Sequence, residues 1–64
     1  MRVKSCVKDE MERVGLNIRS LTARTTSAES TVGNVVRGTY QPSLPLALEI
    51  SYALGKSVND LFQL

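Results

Sequence analysis

Between Glu29 and Arg37 the chain reads Glu-Ser-Thr-Val-Gly-Asn-Val-Val-Arg, and its polar side chains are of a kind that recognises rather than reacts. Glu29 accepts hydrogen bonds, Ser30 donates and accepts, Asn34 presents a donor beside an acceptor, and Arg37 adds a charged fork of donors. At helical spacing Val32, Val35 and Val36 share one side, with Ala28 one turn earlier. Glu29, Ser30, Gly33, Asn34 and Arg37 are left on the other faces. Groups suited to covalent chemistry are scarce. The chain has no histidine, and its single cysteine, Cys6, reads as a small core residue of an apolar helix stripe. The Gly33-to-Gly38 spacing lacks the Gly-Lys-Ser/Thr ending of a phosphate loop. Neither a disulfide framework nor a Cys/His zinc site can be assembled, so no catalytic residue, metal or cofactor is expected.

The elements that must hold these groups are helical. Val3, Val7, Met11 and Val14 recur at i, i+4, i+8 and i+11, with Cys6 beside them, which predicts a first helix from near Ser5 up to Gly15. Residues 1–4 can alternatively form a short extended arm. A second helix is expected from about Asn17, its N-cap, to Arg24, with Leu21 as its main buried residue. Thr26-Ser27-Ala28-Glu29 fits a capping box opening the third helix, and Gly38 is placed to close it in the left-handed conformation. After the loop Thr39-Tyr40-Gln41-Pro42, Ser43 caps a fourth helix with Pro45 in its first turn. Leu44, Ala47, Leu48, Ile50 and Leu54 are its expected buried side, and Gly55 ends it. Ser57-Val58-Asn59-Asp60 starts a short fifth helix carrying Leu61 and Phe62. No alternation of period two is sustained, so the expectation is an all-α fold, one domain over residues 1–64.

Sixty-four residues bury only about 60% of the surface of the unfolded chain, so the core is small. Self-association is a natural supplement, and Leu61, Phe62 and Leu64 are the expected homodimer contacts, being more apolar than so small a core absorbs. The net charge is +2, and six of the eight cations (Arg2, Lys4, Lys8, Arg13, Arg19, Arg24) fall in the first 24 residues. A solvated basic face is one reading of that bias. No apolar run approaches the roughly 20 residues of a membrane span, and the N-terminus has no secretory pattern. A reduced, cytoplasmic setting without membrane contact is expected.

Two short helices joined by a brief turn give the outline of a helix-turn-helix, weak evidence on length alone. Over residues 16–64 the chain also resembles the Xre-type, Cro/repressor-like helix-turn-helix regulators. The residues that carry this are the spacing from Leu16 to Leu21 to Ser30-Thr31-Val32, then "VVRGTYQPSL", "LALEISYALG" and "SVNDLF". The resemblance implies a five-helix, lambda-repressor-like bundle whose third helix, residues 28–37, enters the major groove of operator DNA. It implies base contacts from Glu29, Ser30 and Asn34. Their chemistry suits a cytosine amine, several bases and a bidentate adenine contact, respectively. It implies phosphate contacts from Asn17, Arg19, Thr31, Arg37, Thr39 and Tyr40. Glu29 as a capping residue, Asn34 as a solvated polar group and Tyr40 as a packing residue are the structural alternatives. A run of Ser, Thr, Gly and Asn is poor helix material, Gly33 alone costing about 1 kcal/mol against alanine. In a recognition helix such small side chains let the backbone approach DNA closely.

The sequence also departs from the family pattern. Ile18 stands where many relatives carry glutamine, Thr25 and Thr26 replace Leu-Gly at the turn, and Glu10 falls where a leucine is commonly buried, which hands the inward role to Met11. The implied function is sequence-specific DNA binding as a homodimer, with repression by promoter occupancy. The other reading is a protein-contact module or an antitoxin on the same fold, motivated by the absence of Lys and Arg in the third helix before Arg37.

Overall fold

Each helix begins and ends where a local hydrogen-bonding device replaces the missing intrahelical partners. The computed structural model of the protein describes residues 3–64; Arg2, and with it the beginning of the expected arm, lies outside them. β1 (Lys4–Ser5) precedes α1 (Val7–Arg13). The first helix therefore starts two residues later than its stripe suggested, because Lys4 and Ser5 are extended and paired. Cys6 occupies the N-cap without a side-chain cap bond, while Ser5 Oγ accepts from the Val7 N–H at 3.3 Å.

α2 (Ile18–Thr22) opens with a reciprocal capping box: Asn17 Oδ1 accepts from the Ser20 N–H at 2.8 Å, and Ser20 Oγ accepts from the Asn17 N–H at 2.9 Å. It stops short of the expected Arg24. The amides of Arg24 and Thr25 donate three residues back, to Leu21 and Thr22, which tightens the end into a turn.

α3 (Glu29–Arg37) lacks the expected capping box. Its N-cap is Ala28, with no side-chain cap bond. Thr26 instead turns to Glu49 on the fourth helix: its N–H and Oγ1 donate to that carboxylate at 3.3 and 3.0 Å. The expected box is thus corrected: the helix starts one residue after Ala28, and a tertiary partner 23 residues from Thr26 takes the amide that Glu29 was to accept. At the other end Gly38 sits at φ 80°, where Thr39 N–H donates to the Asn34 carbonyl and Gly38 N–H to that of Val35. This pair of bonds satisfies carbonyls the helix leaves open and reverses the chain at once.

α4 (Leu44–Leu54) has Ser43 as N-cap, Pro45 in its first turn and Gly55 at φ 68° after its end. Its buried side is Leu46, Ala47, Ile50 and Leu54. Leu44 and Leu48, expected inside, are 68% and 51% exposed. Steps of about 100° per residue put Leu46, Ala47, Ile50 and Leu54 in one arc and Leu44 and Leu48 nearly opposite, so one helix cannot bury both sets in the same core. In α1, Val7 and Met11 are buried while Val14, also expected in the stripe, is 41% exposed at the C-cap. Met11 takes the inward role, and Glu10 pairs with Arg13 at 2.7 Å.

α5 (Val58–Leu61) is capped by Ser57, whose Oγ accepts from the Asp60 N–H at 3.2 Å. The chain then extends into β2 (Phe62–Gln63), antiparallel to β1 with Lys4 opposite Gln63 and Ser5 opposite Phe62. The Cys6 N–H continues this pairing by donating to the Leu61 carbonyl at 2.8 Å. The expectation of a wholly helical chain is thus corrected: two strands of two residues are too short to display an alternating pattern.

The result is a small, compact, mostly helical domain with five helices and a two-stranded sheet among the described residues. Val7, Met11, Leu21, Val32, Val35, Val36, Leu46, Ile50, Leu54 and Leu61 form its core, with Leu16, Ile18, Ala53 and Phe62 packed around it. Full burial of a residue such as Leu21, Ile50 or Leu61 contributes about 1.5–3 kcal/mol. Leu61 is wholly enclosed by its own chain, which corrects its assignment to a surface that meets a second copy. Among the described residues no helix is long and apolar enough to cross a membrane.

Candidate functional site

Every buried residue of the core is apolar, so the polar chemistry of the described residues lies on the surface. α3 organises the densest part of it. Val32, Val35 and Val36 are 0%, 1% and 8% exposed and hold the helix against the core. Helical steps then place Glu29, Ser30, Gly33, Asn34 and Arg37 within an arc of about 140° on the outer side. Glu29, Ser30, Asn34 and Arg37 are exposed, and Thr31 is half-buried at the edge.

The outer face is ordered by its own contacts. Arg37 does not extend past the end of α3. Its side chain folds back along the helix, and its Nη2 donates to Asn34 Oδ1 at 2.8 Å. The guanidinium covers Gly33 so closely that a Cβ there would stand 3.3 Å from both terminal nitrogens. Gly33 is therefore the seat of an arginine. The backbone exposure expected from its missing side chain is taken up by Arg37. This function of the glycine was not read from the sequence, although its spacing of four residues from Arg37 was the available signal.

Beside this arginine, Ile18, Glu29, Ser30, Gly33 and Arg37 line an open concavity of about 300 Å³. Its floor comes from both α2 and α3, the most extensively packed pair of elements in the fold. Ile18, at the first position of α2, packs its apolar side chain against the core edge. Arg19 projects into solvent, 90% exposed, with its Nε 4.0 Å from Glu29 Oε1. At that distance and exposure the pair is held loosely and is worth well under 1 kcal/mol.

The remaining residues of the expected site surround this face unevenly. Asn17 caps α2, with its side-chain oxygen engaged by Ser20. Thr39 is exposed just past α3, where its hydroxyl and amide both donate to the Asn34 carbonyl. Asn34 is thereby the hub of the C-terminal half of the helix, its side chain holding Arg37 and its carbonyl holding Thr39. Tyr40 is 51% exposed in the loop before α4.

No protein-family model matches the chain, and a search of curated proteins finds no match.

Glu29, Ser30, Asn34 and Arg37 therefore share one helix face. Arg19 approaches it from α2, while Asn17 and Thr39 are engaged in capping. Phe62 belongs to β2 and is half-buried, and Leu64 is 84% exposed beyond it, so the far end of the chain offers one exposed apolar residue. An apolar surface that the sequence reading placed inside lies elsewhere, along α4.

Proposed function

We propose that this protein is a sequence-specific DNA-binding regulator of the Cro/repressor-like helix-turn-helix type. It acts as a homodimer that represses by occupying promoter DNA. The observation that carries the reading is the division of α3 into two sides. Its valines fix it to the core, and its outer side offers Glu29, Ser30, Asn34 and Arg37 together. α2 packs against it, joined by residues 23–28, in the manner of a helix-turn-helix pair. α3 is nine residues long, and an α-helix with its side chains is about 10–12 Å across, a diameter that a major groove about 12 Å wide admits.

Within this reading Asn34 addresses an adenine and Glu29 a cytosine amine, with Ser30 between them. Arg37 supplies charge to a phosphate, supported by Arg19, the Asn17 end of α2, Thr31, Thr39 and Tyr40. In such a dimer the two recognition helices meet half-sites roughly 34 Å apart on one face of the duplex.

The test is retention on random-duplex DNA over a salt series, followed by selection of bound sequences from a random pool. The expected result is affinity that falls steeply with salt, through counterion release, and enrichment of a twofold-symmetric site. A protein-contact role, as in an antitoxin, is the second reading. It is favoured by the single cation on the outer side of α3, already held by Asn34. Absence of duplex binding at low salt decides for it.

A further inference from the structure

We propose that the outer side of α4 is the surface through which two copies of this chain associate, antiparallel, about a twofold axis at Leu48. Leu44, Leu48 and Tyr52 recur at every fourth residue of this helix and are 68%, 51% and 92% exposed. Helical geometry gathers them within an arc of about 80°, almost opposite the buried Leu46, Ala47, Ile50 and Leu54. Scattered exposed apolar residues need no explanation, but three in a continuous stripe form a patch of roughly 400 Å², in the size range of the largest patch on a typical monomer, which is often functional.

Three features make a second copy the occupant. The first is charge. α4 contains one charged residue, Glu49, and its carboxylate is engaged by the N–H and hydroxyl of Thr26. Like charges therefore do not oppose each other when the stripe meets itself. The second is spacing. Leu44 and Tyr52 lie four residues either side of Leu48, so antiparallel pairing sets Leu48 on Leu48 and each Leu44 on the Tyr52 of the second copy. That self-matching is what an isologous contact requires. The third is area. Two such stripes bury roughly 800 Å² before any flanking residue is counted, which places the contact at the weak, concentration-dependent end of protein interfaces.

A mainly apolar concavity of about 280 Å³, lined by Val3, Pro42, Leu44, Ala47, Val58 and Phe62 with Gln41 as its polar member, opens beside Leu44, where the tyrosine ring of the second copy would arrive. The C-terminal end is the weaker surface, since Leu61 is fully buried and Leu64 stands alone.

This inference deepens the homodimer of the proposed function and rests on that reading for its use, but its readout needs no DNA. Sedimentation of the full chain from about 5 to about 500 µM, a range chosen for so small an interface, should show the mass rising from 7.0 kDa toward twice that value. Leu48→Asp should hold the mass at the monomer value throughout, with an unchanged circular dichroism spectrum, and Leu64→Asp should associate as the parent does. Two doubly substituted chains, L44K with Y52K and L44E with Y52E, should each be monomeric alone and recover the doubled mass when mixed. A parent chain that stays monomeric overturns the inference. So does association that survives L48D, is lost instead in L64D, or fails to return on mixing. Duplex binding by a chain that never self-associates refutes this interface alone; self-association without duplex binding refutes the DNA reading alone.

Discussion

Arg37 lies back along its own helix, with Nη2 2.8 Å from Asn34 Oδ1 and its guanidinium over the bare Cα of Gly33. Two side chains of the proposed DNA-reading face thus hold each other. Asn34 Oδ1 carries a second lone pair, so in the proposed reading it can accept from an adenine amine while still holding the arginine, and the two side chains are coupled. Arg37→Ala should weaken all duplexes alike and lower the salt slope by about one, while Asn34→Ala should cost about 1–3 kcal/mol at the preferred site and relax one base preference. A double-mutant cycle should return a coupling of about 0.5–1 kcal/mol. Fluorescence anisotropy on selected and random duplexes measures all of these. Equal losses on both duplexes for Asn34→Ala would remove it as a base reader.

Gly33→Ala should stabilise the fold by about 0.5–1 kcal/mol, because alanine is the better helix former. The added methyl meets only the far end of a flexible arginine, which can move. For a domain of this size the gain corresponds to a few degrees in Tm. In an Arg37→Ala background the gain should be larger, since nothing then resists the methyl. Identical gains in both backgrounds would mean that the guanidinium does not rest on Gly33.

The Thr26–Glu49 contact ties the connection before α3 to α4. Glu49→Ala should cost about 1 kcal/mol, and Thr26→Val a similar amount, with much less than the sum for the pair. Urea denaturation provides the values. Strict additivity would show that the two groups do not interact in solution.

Leu61→Ala should cost about 2–5 kcal/mol, as expected of a wholly enclosed side chain. A fold of this length has only on the order of 3–10 kcal/mol in total, so this variant is expected to be largely unfolded when warm. Leu64→Ala should change stability by less than about 0.5 kcal/mol. Thermal melts of the two variants compare them directly, and similar melting temperatures would contradict the burial of Leu61.

The helix boundaries were the most legible part of the fold, because they depend on devices a few residues long. Asn17, Ser43 and Ser57 cap where their types predict, and Gly38 and Gly55 follow the helices they were expected to close. Inward and outward sides were harder to read. α4 begins Leu-Pro-Leu-Ala-Leu, so apolar residues surround it, and only the rest of the fold decides that Leu46 goes in while Leu44 and Leu48 stay out. Thr26 had two suitors, a local one in Glu29 and a remote one in Glu49, and spacing reveals only the first. At the candidate site, the exposure of Glu29, Ser30, Asn34 and Arg37 follows from helical periodicity alone. The bond from Arg37 back to Asn34 depends on the rotamer of a long side chain, which no pattern of residue types specifies.

The pairing of Lys4–Ser5 with Phe62–Gln63 carries a consequence for how the chain assembles as it is made. Closing a loop of this length costs roughly 3–4 kcal/mol of chain entropy by the logarithmic rule, a toll that the short-range caps of the helices do not face. Synthesis also delivers the two strands at opposite times. The first leaves the ribosome early and waits without a partner, and the second follows only after Leu61, one of the fully buried residues of the core. The helices can flicker into being as the chain grows, but the ladder closes only once residue 63 is available to pair with Lys4. This places the commitment to the native state after residue 63 has been made, rather than during synthesis of the helices before it.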